Sequence, residues 1–141
     1  MNETILKFGY PDNCLFETES WVLLLRPKQV TAGCLVLACK ENAISMAEVS
    51  QRAFAELSVI TSRLETCLKR AFAMDKINYM LLMMVDKHVH FHVIPRYSEV
   101  KSLGSVEFTD PGWPKHPNMQ NVHPLTDSEY GQLKQHLLDF L

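Results

Sequence analysis

The sequence contains no run of basic residues longer than the pair Lys69-Arg70, and its formal net charge is −2. Backbone-driven nucleic-acid binding draws on many phosphate-neutralising cations, so this scarcity argues against it as the main task. A small anionic ligand stays open, because one or two positioned cations or amide donors can hold it. No apolar run approaches the ~20 residues needed to cross a bilayer. No charged head followed by an apolar stretch has the form of a leader, and no repeat, low-complexity segment or linker divides the chain. The cysteines do not read as a disulfide framework either. Two of Cys14, Cys34, Cys39 and Cys67 fall in apolar strand-like text and Cys67 falls on a helical stripe, as reduced and mostly buried thiols do. The expectation is a soluble cytoplasmic protein with no membrane partner.

What remains is an ordinary globular composition, with 47% hydrophobic and 21% charged residues in 141. That length suits one domain over residues 1–141 that buries roughly 70% of its unfolded surface. Apolar runs at 14–16, 21–25 and 34–39 predict three strands, with Pro27 and Gly33 breaking the last two apart. Ser45 and Glu48 have capping-box spacing. Val49, Ala53, Leu57, Ile60, Leu64, Cys67, Leu68 and Phe72 then recur at helical intervals, which predicts one long helix. Residues 77–85 and 88–94 predict two further strands joined by the short loop Val85-Asp86-Lys87, with Pro95 ending the second. Residues 98–124 show no period and are expected to form a long loop. Thr126 and Glu129 form a second capping-box pattern before a C-terminal helix over 126–141. The fold class is therefore α+β, an antiparallel sheet of about five strands with one long helix and a C-terminal helix.

The most informative stretch is Asp86-Lys87-His88-Val89-His90-Phe91-His92-Val93-Ile94-Pro95-Arg96. In a strand, residues two apart share a face, so His88, His90 and His92 form a ladder while Val89, Phe91 and Val93 pack inward. Neutral imidazole is a nucleophile at pH 7, since one nitrogen attacks while the other is held by a neighbour. Attack on the α-phosphorus of a nucleotide gives a nucleotidyl-imidazole that water then cleaves. Two other readings stay open at this point. One is histidines without a task; the other is a zinc site using two of them, because a regular strand sets His88 and His92 about 13–14 Å apart.

Residues His88-Val89-His90-Phe91-His92-Val93-Ile94 alternate as the signature of the histidine triad (HIT) family does, and Pro95-Arg96 follows as it often does there. The resemblance extends over residues 14–97 through the order of strands, long helix and strand hairpin. It implies nucleotide hydrolases or transferases with a nucleotidyl-histidine intermediate, a nucleotide substrate, a homodimer with sheets side by side, and no metal or other cofactor. By the same resemblance His90 is the nucleophile. His92 lines the phosphate site and fixes the tautomer of His90, and His88 joins the hydrogen-bond chain and polarises the phosphate.

The sequence also departs from that pattern. Many members carry a longer glycine-rich loop before the triad, with a Gln or Ser on the phosphate. The short loop expected here leaves Lys87 and Arg96 as the substrate-binding candidates. A short hairpin would set Met84, not Asn78, beside His88. Asn42 stands about where a further family histidine falls, and Arg26 near the residue that holds the ribose. Trp113, between Pro111-Gly112 and Pro114, is a candidate lid.

Overall fold

Every residue of β2 (Trp21–Leu25) and β3 (Leu35–Cys39) is buried, because these strands lie inside a sheet covered on both faces. Trp21, Leu23, Leu25, Leu35, Leu37 and Cys39 point to a core formed with α2 (Gln51–Phe72) and α3 (Asp127–Phe140). The alternate residues Val22, Leu24, Val36 and Ala38 pack against Ile5 of a short N-terminal helix, α1 (Glu3–Lys7). The computed structural model describes residues 1–141. Its five-stranded antiparallel sheet, with β1 (Cys14–Glu17), β4 (Lys76–Leu81) and β5 (His90–Arg96), runs in the order β1-β2-β3-β5-β4. This is the expected α+β architecture.

Helix α2 starts later than its capping box predicts. Ser45 makes no side-chain cap, and only a 3-10 turn spans Met46–Glu48. The working cap is Ser50, whose Oγ accepts from the Ala53 amide at 3.1 Å while donating to Glu41 Oε2 at 2.5 Å. The buried stripe Ala53, Ile60, Leu64, Cys67, Leu68 and Phe72 matches the predicted face. The Thr126/Glu129 box caps α3 as expected, with both reciprocal bonds formed. The four thiols are unpaired, and three of them are buried.

Three expectations about the second half are corrected. Pro95 does not end β5, which continues to Arg96. Its carbonyl turns toward the β3 side and accepts from Thr31 Oγ1 at 2.6 Å, but β3 starts only opposite Val93, so no ladder bond needs the missing amide. The segment 98–124 is not wholly irregular: β6 (Lys101–Leu103) and β7 (Val106–Phe108) form a hairpin, and Phe108 packs edge-on to Phe72 with ring centroids 6.3 Å apart. Finally, β4 stops at Leu81, which pairs with Phe91, so the connection to β5 is residues 82–89 rather than 85–87. It contains no glycine.

The turn between β2 and β3 bears on the site because Arg26 and Lys28 belong to it. Gln29 is fully buried at its centre, donating to the carbonyls of Arg26 and Cys34 and accepting from the amides of Gly33 and Cys34. Gly33 has φ +84°, and a Cβ there would come within 2.9 Å of Leu68 Cδ2, so glycine answers both the backbone and the packing.

Candidate active site

His90 opens β5, and His92 follows two residues later on the sheet face away from α2, while Phe91 and Val93 join the helix-covered core. Both imidazoles are buried. Their ring centroids are 5.0 Å apart with planes at 80°, and the Phe8 ring lies 5.6 and 5.7 Å from them.

His88 lies outside the strand, so the ladder has two rungs, not three. The preceding residues are tied down elsewhere. Val89 is fully buried, its amide donating to Ala43 and its carbonyl accepting from the Cys39 amide. The His88 amide donates to Thr4 Oγ1 at 3.3 Å, and His88 Nδ1 stands 3.1 Å from the same oxygen. The one hydroxyl thus ties both the backbone and the ring of His88 to α1. The His88 carbonyl is then fixed 2.7 Å from His90 Nδ1. A nitrogen that close to a carbonyl oxygen must carry the proton, which leaves His90 Nε2 with its lone pair free. The carbonyl of His88, rather than the ring of His92, therefore sets the tautomer of the central histidine. The same carbonyl can stabilise positive charge on the His90 ring.

Burial first, then the charge of Arg26 and the neighbouring His90 ring, bring the pKa of His92 down from 6.5 to about 4, against a smaller opposing pull from Asp86. His92 is thus uncharged at neutral pH. The unfolded chain takes up this proton below about pH 6.5 and the folded one only near 4, so stability falls as pH drops through that window. The loss by pH 4 is about 2–3 kcal/mol. Urea midpoints between pH 7 and pH 4 should show this decline in the wild type and a flatter profile in His92→Gln; equal slopes would refute it.

These rings form the floor of a cavity of about 390 Å³. Lys7 and Phe8 make one wall, Arg26-Pro27-Lys28 a second, and Leu82 to Asp86 the third. Lys7 Nζ is 2.5 Å from Asp86 Oδ1, which ties the end of α1 to the loop before the triad. Met84 and Val85 are 82% and 86% exposed and give the rim an apolar edge. No three His, Cys, Asp or Glu side chains gather as a metal-binding group.

The predicted accessory residues lie elsewhere. Arg96 is buried in a two-pronged ion pair with Asp110, its Nε 2.7 Å from Oδ2 and Nη2 3.1 Å from Oδ1, and Nη1 donates to Asn78 Oδ1 and the Lys115 carbonyl. It pins the segment after β7 to the sheet and is no part of the histidine cavity. Lys87 is exposed and does not line the cavity either. Asn78 pairs with Ile94, and Met84 pairs with nothing. Trp113 borders a separate hollow of about 890 Å³ beside β4, with Arg96 and His116, so it is no lid on the triad. His123 is held by the Thr109 amide and the Gln29 carbonyl.

The HIT domain family model matches residues 7–99, a span that includes Phe8, Arg26 and all three triad histidines. The chain belongs to the HIT family. Membership places it among nucleotide-binding proteins and hydrolases. No curated protein matches it in sequence. Among solved structures, a histidine triad protein from Sinorhizobium meliloti superposes with TM-score 0.76 at 20% identity, covering 100% of this chain and 96% of that one. A histidine triad protein from Marinobacter aquaeolei gives 0.69 at 21% identity, covering 100% and 94%. A diadenosine triphosphate hydrolase from Plasmodium falciparum gives 0.57 at 12% identity, covering 70% and 65%. At such identities the likeness shows the shared HIT fold.

Sequence reasoning missed the contribution of the N-terminus. Phe8, Lys7 and Thr4 all reach the site from α1 or its end. The available signal was Asn2, an N-cap type, whose Oδ1 accepts from the Ile5 amide and whose Nδ2 ties the helix to the Cys39 carbonyl. A five-residue helix carries too little periodicity to stand out.

Proposed function

We propose that the protein transfers or hydrolyses the nucleotidyl group of nucleotide conjugates, such as nucleoside phosphoramidates or dinucleoside polyphosphates, through a nucleotidyl-His90 intermediate. The observation that carries this reading is His90 Nδ1 at 2.7 Å from the His88 carbonyl, which presents a free Nε2 to the cavity. Nε2 attacks the α-phosphorus, the bond to the leaving group breaks, and its electron pair departs with that group. A leaving phosphate goes as the anion; a leaving amine takes up one proton from solvent water, and the hydroxide left behind is neutralised by the proton that the second, attacking water releases. Water then attacks the same phosphorus, the P–N bond breaks, and nucleoside monophosphate is released with His90 restored. Uncharged His92 lies against the reacting ring. The apolar rim of Leu82, Met83, Met84 and Val85 suits a nucleoside base, and the cations suit the phosphates.

Side chains carry this chemistry without a metal ion. Release of nucleoside monophosphate from an adenosine phosphoramidate and from a diadenosine polyphosphate tests the reading, with and without a chelator. Turnover unchanged by chelation is the expected result; turnover abolished by chelation and restored by Zn²⁺ would contradict it. A homodimer is part of the same proposal. The outer edge of β4 has no strand partner in this chain, and a second copy pairing there would cover it.

A further inference from the structure

The fold gives Arg26 fewer partners than its guanidinium can bind. It follows directly on β2, Nη1 donates to the Lys28 carbonyl at 2.6 Å, and Nε is buried with no hydrogen-bond partner at all. An unpaired buried donor costs on the order of 1–3 kcal/mol. His92 Nδ1 is also buried and unpartnered, and both side chains line the cavity that holds His90.

The other cations are less suited to a phosphate at the nucleophile. Lys7 is already paired with Asp86, and its side chain is 56% exposed. Lys28 and Lys87 are exposed, and Arg96 is bound to Asp110, Asn78 and Lys115 outside the cavity. Of these cations Arg26 alone is partly buried, lines the cavity and is in no ion pair. Its rigid fork matches two phosphoryl oxygens in a way that a lysine ammonium does not.

We infer that Arg26 is a catalytic residue, its guanidinium binding the non-bridging oxygens of the α-phosphate while His90 attacks. This rests on the nucleotidyl-transfer reading above. As the His90 Nε2–P bond forms and the bond to the leaving group breaks, negative charge concentrates on those oxygens. Arg26 meets it with fixed positive charge and keeps all its protons. It acts identically when water later breaks the P–N bond. The phosphate contact that many family members take from a glycine-rich loop thus comes here from the β2–β3 turn.

The test is the rate of covalent adduct formation in a single turnover with adenosine phosphoramidate and with diadenosine polyphosphate. Wild type is compared with Arg26→Gln, Arg26→Lys and Arg26→Ala, the last with and without added guanidinium ion. Arg26→Gln should form adduct about 10²–10³-fold more slowly, while its affinity for nucleoside monophosphate falls less than the rate does. Guanidinium ion should restore part of the rate in Arg26→Ala, which loss of structure alone would not allow. Wild-type rates in Arg26→Gln, or a defect in folded Arg26→Ala that guanidinium ion leaves untouched, would overturn the inference. If the Gln and Ala variants do not fold, Arg26→Lys decides: a rate at least about tenfold below wild type supports the need for a planar fork, and an unchanged rate refutes it. A wild type that turns over without any adduct overturns the nucleotidyl-histidine reading itself, and the inference with it. That outcome is distinct from an active wild type matched by Arg26→Gln.

Discussion

His90→Ala is expected to lose turnover by about 10⁴–10⁶-fold, because it removes the atom that forms the new bond rather than one that assists it. The variant should still fold. It gives up one hydrogen bond to the His88 carbonyl, worth about 1 kcal/mol, and a buried ring on the sheet face away from α2 rather than in the core that α2 covers. Nucleotide binding should persist, since Arg26, Lys28 and the apolar rim are untouched. Steady-state kinetics beside a binding titration with nucleoside monophosphate separates these effects. Activity within tenfold of wild type would remove His90 from the nucleophile's role.

The largest stability effect is expected from Asp110→Ala. It would leave the Arg96 guanidinium buried opposite no charge, with only Asn78 Oδ1 and the Lys115 carbonyl to accept from it. Breaking a buried pair from one side costs about 3–5 kcal/mol, a large share of the stability of a chain this size. Asp110 Oδ2 also accepts from the Tyr97 amide, so the end of β5 loosens as well. The effect should register as a lower urea midpoint, with Arg96→Met Asp110→Leu recovering much of the loss because both charges leave together. Equal midpoints for wild type and Asp110→Ala would show that this ion pair does not hold the segment after β7 to the sheet. Turnover in a folded Asp110→Ala should change little, since neither residue lines the histidine cavity.

The triad was legible because alternation in a strand has a physical meaning that survives without an alignment. His90 and His92 share a face, and their apolar neighbours Phe91 and Val93 face the core, as period two demands. The loop before them was misread for an equally physical reason. Residues 79–85 form one unbroken apolar run, and nothing in the residue types shows that pairing stops at Leu81. The chain leaves the ladder because Met83 takes φ +39° and because Val89 and His88 are claimed by Ala43 and Thr4. The apolar residues left over, Met84 and Val85, become the cavity rim instead of core. Arg96 misled for a similar reason: charge at a strand end usually means solvent or ligand, and its buried partner Asp110 lies in a segment without period. The cations that do line the cavity come from two separate stretches of chain, so only folding brings Lys7 together with Arg26 and Lys28.

The most direct test of the account is the intact mass of the wild-type protein, quenched early after mixing with an adenosine phosphoramidate or a diadenosine polyphosphate and then mapped by peptide. The account predicts a protein heavier by one nucleoside monophosphate residue, the added mass on His90, appearing and decaying at rates that match turnover. Product released with no modified protein at any time, or the added mass on another residue, would contradict it.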